Sequence, residues 1–261
     1  MWGGTSPEYG DLPDSWDTYK KIFFARKGDM DNAPIVEVKN SLGNHLGSRN
    51  FGLDYRGDDF SVNLYWQTIF EDGSGMAWRN IEDGLWGLVY KNHTKQKPLL
   101  ESTIYEFLHT TDQSGEHHRI DGEIVGGNDN YFNHTIYNSG WAYNSFIIGT
   151  SLITSPIINH LSSGQILINN KVVAHHLGIK GWIEEQLQYR AMFTYSKNYG
   201  RNGRSFIPAK REYSFLSELH YQLPEEPSWR LKLKLAADFG DMYGKNFGMF
   251  FGIVNRGLMG E

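Results

Sequence analysis

Apolar and polar residues alternate along nine stretches of this chain, and the alternation is clearest over residues 229–237. Successive side chains of a β-strand point to opposite faces, so a period of two predicts a strand with one apolar and one polar face. In this stretch the apolar set is Trp229, Leu231, Leu233, Leu235 and Ala237. The nine predicted strands cover residues 44–56, 60–70, 84–92, 98–110, 171–183, 186–197, 212–222, 228–239 and 246–255.

The connections between the predicted strands alternate in length. Short connections follow the first, third, fifth and seventh strands, whereas 71–83, 111–170 and 198–211 are long and 240–245 is intermediate. Bacterial outer-membrane barrels have short periplasmic turns and longer extracellular loops. The predicted fold class is therefore all-β: an antiparallel transmembrane β-barrel portion with long extracellular loops.

The strand count is odd, although single-chain bacterial barrels have an even number of strands. Nine strands that end in the periplasm would place residue 44 on the extracellular side. We therefore expect half of a larger barrel, with an N-terminal barrel half missing from the chain. The alternative is one miscounted strand in a complete barrel of eight or ten strands.

This topology divides the chain into four parts of a single barrel domain. Residues 1–43 form an extracellular loop with a short helix that starts near Asp14 or Ser15 and runs to Phe24. Residues 44–110 are barrel strands, and residues 111–170 are a long extracellular loop or plug. Residues 171–255 are barrel strands that lead to a periplasmic C-terminus.

Composition narrows the possible functions. Aromatic residues make up 15 % of the chain, which fits aromatic girdles at two membrane interfaces but also a soluble β-sandwich or lectin. The absence of Cys excludes disulfides and thiolate metal sites. A net charge of −5 argues against nucleic acid as a partner. The first residues lack the charged start and apolar core of a signal peptide, so we expect one to have been removed or to lie upstream.

Several motifs in order resemble the Wzi-like capsule assembly proteins of Bacteroidetes. They are NHLGS at 44–48, GLDY at 52–55, LYWQ at 64–67, FEDGSGM at 70–76, GGNDNYFNH at 126–134, AHHLG at 174–178 and AADFG at 236–240. The resemblance implies an outer-membrane barrel of about eighteen strands, of which this chain would hold half. It also implies binding of capsular polysaccharide at the cell surface.

Residues 126–143 contain the strongest candidate carbohydrate site. Planar polar groups suit sugar hydroxyls, and aromatic rings suit the apolar face of a sugar. The candidates are Asn128, Asp129, Asn130, Tyr131, Asn133, His134, Tyr137, Asn138, Trp141 and Tyr143. The same pattern is typical of an ordered loop or lumen plug whose aromatic residues pack inward. Glu71 and Asp72 are further candidates for sugar hydroxyls or Ca²⁺, although the sequence favours an acidic loop cap because the calcium-loop pattern is incomplete.

The sequence gives weaker support to metal binding and catalysis. Adjacent histidines on a strand point to opposite faces, so His175 and His176 should divide between lumen and lipid rather than chelate zinc. Acid pairs such as Asp121 with Glu123 and Glu82 with Asp83 suit a glycosidase only at a defined separation. The stretch 159–163 has the residue types of a Ser–His hydrolase but no nucleophile elbow. We therefore predict no catalytic residue, metal or cofactor.

Basic residues cluster in two of the predicted outer loops. They are Lys20, Lys21, Arg26, Lys27, Arg201, Arg204, Lys210 and Arg211. Such residues would attract an acidic polysaccharide, although contact with lipopolysaccharide or plain solvation would also explain them. The sequence thus predicts a multi-pass protein of the bacterial outer membrane that binds capsular or exopolysaccharide and contacts membrane lipid. The alternatives are a soluble β-sandwich carbohydrate-binding protein and, less favoured, a barrel hydrolase.

Overall fold

The computed structural model describes residues 3–6, 8–29, 41–94, 96–158, 167–226 and 228–255. Within them no helix is long and apolar enough to cross a membrane. Most of the ordered elements are strands. In chain order the elements are β1 (Thr5–Ser6), β2 (Gly10–Asp11), α1 (Trp16–Phe23), β3 (Gly47–Arg56), β4 (Phe60–Phe70), α2 (Gly73–Met76), β5 (Gly84–Asn92), β6 (Ser102–His109), β7 (His118–Ile120), β8 (Glu123–Gly126), β9 (Ala142–Tyr143), β10 (Phe146–Ile147), a 3₁₀ turn (Pro156–Ile158), β11 (Val172–Trp182), β12 (Leu187–Arg201), β13 (Arg204–Gln222), β14 (Trp229–Gly240) and β15 (Asn246–Asn255).

Nine of these strands form one antiparallel sheet in the order β3-β4-β5-β6-β11-β12-β13-β14-β15. Each of the nine predicted strands is present, so the prediction of an all-β fold with a nine-stranded antiparallel sheet is confirmed. The two outer strands, β3 and β15, do not pair with each other, and the sheet is not closed into a barrel. The prediction of a transmembrane barrel therefore stays a proposal.

The prediction of a long loop at 198–211 is wrong. β12 and β13 continue as a hairpin to the pair Arg201–Arg204, and only Asn202 and Gly203 form the turn. The register shifts between Asn198 and Gly200, and Gly200 has φ +85°. A left-handed glycine and a bulge interrupt the alternation of side chains, which is why the sequence pattern of this hairpin resembles that of a loop.

One face of the sheet is apolar and exposed from edge to edge. A single hydrogen-bonded register connects an apolar residue on every strand: Leu53, Leu64, Leu88, Tyr105, Leu177, Phe193, Phe215, Ala237 and Phe247. All of them except Ala237 are at least 39 % exposed. We call this the outer face. Such a continuous apolar surface is unusual on a protein that is surrounded by water.

A second row of paired residues on the outer face consists of aromatic side chains from eight of the nine strands. It runs Phe51, Trp66, Trp86, Phe107, His175, Tyr195, Tyr213 and Phe239. Neighbouring rings interact closely, with centroids 4.9 Å apart for Trp66 and Trp86 and 5.2 Å apart for Tyr213 and Phe239. This row lies two residues along each strand from the apolar row, toward the end of the sheet where β3 begins.

The opposite face of the sheet, which we call the inner face, is largely polar. It carries an ion-pair group in which the buried Glu218 accepts from Arg190 Nε at 3.1 Å and from Lys234 Nζ at 2.7 Å. Further along the same face, Glu101 accepts from Lys180, from Trp182 Nε1 and from Gln188 Nε2. Alternation of side chains thus separates an apolar from a polar surface across the whole sheet.

The connections at the two ends of the sheet differ. The described residues of the connections 57–59, 93–101, 183–186 and 223–228 lie at one end, and those of the connections 71–83, 110–171, 202–203 and 241–245 lie at the other. We call the described part of residues 111–170, that is 111–158 and 167–170, the cap. Its side chains Tyr131, Phe132, Ile153 and Leu167 form a buried cluster, and its Leu152 packs on Leu108, Val172 and Ala174 of the inner face.

The N-terminal segment lies against the cap. Leu12 packs with Ile136 and Tyr137, and Trp141 Nε1 donates to Asn44 Oδ1 at 3.1 Å. The predicted short helix is confirmed as α1. It starts after Ser15, whose hydroxyl caps it by accepting from the Thr18 amide at 3.2 Å.

Candidate functional site in and beneath the cap

Tyr131, a predicted sugar contact, lies in the interior of the cap. It is 0 % exposed, and its hydroxyl donates to Asp83 Oδ2 at 2.8 Å and accepts from Asn80 Nδ2 at 2.8 Å. Asp83 also accepts from the Gln113 amide at 2.7 Å. Burial and the nearby Asp83 charge raise the pKa of the Tyr131 hydroxyl, so it stays a donor. In this conformation the ring presents no face to a ligand.

Asn130 and Asn133 connect the middle of the cap to its last residues, which lead into β11. Asn170 Nδ2 donates to Asn130 Oδ1 and to the Tyr131 carbonyl, both at 2.7 Å. Asn133 accepts from the Leu167 amide at 3.1 Å and donates to the Leu167 carbonyl at 3.2 Å. The side chains of Asn133 and Asn170 are buried, so their amide groups make hydrogen bonds inside the fold rather than to a ligand.

Asp129 is also buried and is bound by hydroxyl groups. Its carboxylate accepts from Ser114 Oγ at 2.6 Å and from Ser74 Oγ at 3.4 Å. Burial raises the pKa of Asp129 to about 6, against the lowering effect of the Ser114 hydrogen bond. Asp72 is exposed and caps α2 by accepting from the Ser74 amide at 2.8 Å. The interpretation of Asp72 as an acidic loop cap agrees with this geometry.

Glu71 connects the end of β4 to the cap. Its Oε1 accepts from the Phe132 amide at 2.6 Å. Burial of the carboxyl group raises its pKa to about 8, while the Phe132 hydrogen bond lowers it and the charges of Asp129 and Asp72 raise it further. A carboxyl group that is largely protonated near neutral pH suits a structural contact in the interior.

His134 and Trp141 also make contacts within the fold. His134 Nδ1 accepts from the amides of Ile136 and Tyr137, both at 3.1 Å. Burial lowers the pKa of His134 to about 4, so the imidazole is neutral and can accept. Trp141 is half-buried against the aromatic and aliphatic side chains of the cap.

Tyr137 is buried and Asn138 is half-buried, whereas two further candidates lie on the surface of the cap. Tyr143 is 72 % exposed at the tip of the β9–β10 hairpin, next to the exposed Phe146. Asn128 is exposed and contacts His117 Nε2 at 3.3 Å. The structure thus gathers most of the predicted set in one packed region and leaves Tyr143, Asn128 and Asp72 accessible from outside.

The described residues hold no group of three or more His, Cys, Asp or Glu that could bind a metal ion. His175 packs against Phe107 and stacks on Tyr195 on the outer face, whereas His176 lies on the inner face and contacts Thr194. The two histidines therefore point to opposite faces, as predicted. The Ser–His stretch 159–163 lies outside the described residues.

A cavity of about 350 Å³ lies between the cap and the inner face. Of its polar residues, only His176 was considered from the sequence, and as a zinc ligand rather than as part of a cavity. Its lining is Leu85, Glu106, Leu108, Thr150, Ser151, Leu152, Ala174, His176, Met192 and Thr194. Glu106 and His176 are far apart in the chain and meet only because β6 pairs with β11 after the cap. The one signal in the sequence for this cavity is that Glu106 and His176 are polar residues at inner-face positions of two predicted strands.

No family model, no curated protein and no solved structure matches this chain. The resemblance to capsule assembly proteins therefore rests on the sequence motifs alone.

Proposed function

We propose that this chain is part of an outer-membrane β-barrel that binds capsular or exopolysaccharide at the cell surface and assists its assembly or attachment without catalysis. The observation that carries the membrane part is the outer face, where one register of apolar side chains, all of them large except Ala237, crosses all nine strands. Hydrocarbon tails would cover that face, whereas in water its exposure would be costly.

The dimensions of the outer face agree with a membrane. Along β13, outer-facing positions run from Tyr213 to Tyr221. This span is close to the length of about 9–11 residues with which a tilted strand crosses a membrane. The apolar band of outer-membrane barrels is about 25 Å tall and bounded by aromatic residues. The aromatic row through Tyr213 supplies one such boundary, at the cap end.

The free edges of the sheet require partners in this setting. Backbone groups on β3 and β15 have no strand beside them among the described residues. An open edge is excluded from hydrocarbon because unsatisfied backbone groups there cost several kcal/mol each. We therefore propose that further strands, from an N-terminal barrel half or a second copy, complete the wall.

Polysaccharide binding is supported by the position and chemistry of the cap end. The cap, α1 and the β12–β13 hairpin extend from one end of the sheet, where the proposed topology has the cell exterior. Exposed groups there include Tyr143, Asn128, Asp72, Lys20 and Arg204. Aromatic rings and polar groups of this kind suit sugar recognition, and the resemblance to capsule assembly proteins points to the same ligand class.

A reconstitution experiment tests both parts. The chain, refolded in detergent and in liposomes, should need detergent or lipid to stay monodisperse and should retain capsular polysaccharide on a solid support. The variant Tyr143→Ala should weaken retention, whereas Tyr131→Phe, a change inside the cap, should not if the cap stays folded.

Three results would overturn the proposal or part of it. A monomer that is stable in water without detergent would favour the soluble β-sandwich alternative. Release of sugar or fatty acid products would favour a hydrolase. Insertion into lipid without retention of polysaccharide would support the membrane part of the proposal and overturn the part that concerns polysaccharide binding.

A further inference from the structure

Five directly opposed residues form a row across the inner face beneath the cap. Tyr65 of β4 faces Gly87 of β5, which faces Glu106 of β6. Glu106 faces His176 of β11, which faces Thr194 of β12. Glu106, His176 and Thr194 line the cavity under the cap. The row places a carboxylate and an imidazole side by side in a cavity that is partly open to solvent.

Glu106 is oriented from one side by Tyr65. The two residues are separated by β5, but the intervening residue is Gly87, and the Tyr65 hydroxyl donates to Glu106 Oε1 across it. A Cβ at position 87 would lie 2.0 Å from Tyr65 Cζ, so only glycine leaves room for the ring. The absence of a side chain at Gly87 thus fixes the direction of the Glu106 carboxylate.

His176 is oriented from the other side by Thr194. Its Nδ1 lies 2.7 Å from Thr194 Oγ1, which leaves Nε2 for a ligand. Directly opposed side chains have Cβ atoms about 5 Å apart. Among the hydrogen bonds of the described residues, none joins Glu106 to His176. Tyr65 holds Glu106 and Thr194 holds His176, so each of the two residues presents a free polar atom to the cavity. A binding site needs polar groups that are preorganised in this way.

The rest of the lining is partly apolar. Leu85, Leu108, Ala174 and Met192 come from the sheet, and Thr150, Ser151 and Leu152 close the cavity from the cap. A volume of about 350 Å³ is at the lower end of the range for small-molecule sites, which combine apolar walls with a few placed polar groups. One sugar ring has that combination of an apolar face and polar edges.

We propose that this cavity is a subsite for a single pyranose unit, neutral or amino-substituted and not anionic. The Glu106 carboxylate accepts from sugar hydroxyl or ammonium groups, and His176 Nε2 and Thr150 supply further polar contacts. The lining contains Glu106 but no Lys or Arg, so a uronate or a phosphorylated sugar would meet unfavourable charge. The inference rests on the proposed function, because it takes the ligand to be a unit of the bound glycan.

Titration with three small glycosides tests the proposal. Methyl glycosides of glucosamine, glucose and glucuronic acid would be added to the full chain in detergent, with binding followed by saturation-transfer NMR and calorimetry. We expect the glucosaminide to bind best and the glucuronide worst. Glu106→Gln should weaken glucosaminide binding about tenfold or more, because it removes one charge-assisted hydrogen bond while keeping the Tyr65 acceptor.

Two further variants provide a block and a control. Ala174→Leu should abolish binding of all three glycosides by filling the cavity. Asp238→Asn should change nothing, since Asp238 is an inner-face acid on β14 outside the cavity. Thermal unfolding should first confirm that each variant is folded.

The proposal is overturned if no glycoside binds the wild type at tens of millimolar, about the weakest affinity that such a titration resolves. It is also overturned if folded Ala174→Leu binds as well as the wild type. Retention of capsular polysaccharide despite either result would leave the proposed function standing with its contacts elsewhere. Loss of polysaccharide retention with intact glycoside binding would instead remove the proposed function and keep the cavity.

Discussion

Tyr131 of the cap donates to Asp83 of the loop after β4 at 2.8 Å, and both side chains are 0 % exposed. The same hydroxyl accepts from Asn80 Nδ2. The phenol therefore connects the cap to the loop that precedes β5. Because both partners are buried, removal of the hydroxyl leaves polar groups without water to replace it.

Tyr131→Phe should accordingly destabilise the cap by about 1–3 kcal/mol. Limited proteolysis of residues 111–158 and denaturant unfolding would measure the change. Tyr143→Phe is the matched control, because Tyr143 is 72 % exposed and its hydroxyl should contribute within about 0.5 kcal/mol. Equal protease sensitivity of the two variants would contradict the interpretation of Tyr131 as a structural contact.

Cap stability should fall as the pH rises. The folded-state pKa of Glu71 is raised from 4.5 to about 8, so the folded protein holds a proton that the unfolded chain releases. The raised pKa of Glu71 contributes to the free energy of unfolding. This contribution is complete below about pH 4.5 and is lost progressively as the pH rises to about 8. Amide exchange of Phe132, followed from pH 5 to pH 9 and corrected for intrinsic rates, would show the loss of protection.

Glu71→Gln isolates this contribution, since Gln keeps an oxygen that accepts from the Phe132 amide. We expect a flatter pH profile in the variant. The remaining slope at lower pH should combine two opposing groups. Asp129, whose pKa is raised to about 6, makes stability fall as the pH rises, whereas His134, whose pKa is lowered to about 4, makes it increase. A variant profile that coincides with the wild-type profile would show that Glu71 is not the titrating group.

Adjacent residues of β13 should respond in opposite ways to a charge. Phe215 belongs to the exposed apolar row, and Ser214 points to the inner face beside Asp238. Phe215→Arg should cost about 2–4 kcal/mol of folding free energy in liposomes, as charges on the lipid face of barrels do. Ser214→Arg should be tolerated. Folding yields from gel mobility and tryptophan fluorescence would decide, and equal yields would argue against a lipid-covered outer face.

The strands were predictable because side-chain alternation is a local property of the sequence. In β14, apolar and polar residues alternate over almost the whole strand, and the predicted and observed bounds differ by about one residue. Glu101 shows the limit of the pattern. By simple alternation Glu101 would share the outer face with Tyr105 and Phe107. It precedes the first residue of β6, however, and its carboxylate accepts from Lys180 and Gln188 on the inner face.

The cap and the cavity were less predictable because they depend on contacts between distant residues. Residues 126–143 have a composition that suits both a sugar site and a packed plug. Only the structure shows that Tyr131 and Asn133 are buried and therefore pack inside the cap. Glu106 and His176 become neighbours through the β6–β11 pairing, which spans the cap. No local pattern encodes that pairing, since it depends on which strands meet after a long connection.

Gly87 provides a direct test of how the inner-face row is held. Gly87→Ala would bring a Cβ to 2.0 Å from Tyr65 Cζ and should turn the ring away from Glu106. Glucosaminide affinity should then fall by about as much as in Tyr65→Phe, which removes the same hydrogen bond, and the double variant should add little. Gly248→Ala is the matched control, because its nearest neighbour, Ala236 Cβ, is 3.9 Å away. Wild-type affinity in a folded Gly87→Ala protein would show that Tyr65 does not position Glu106.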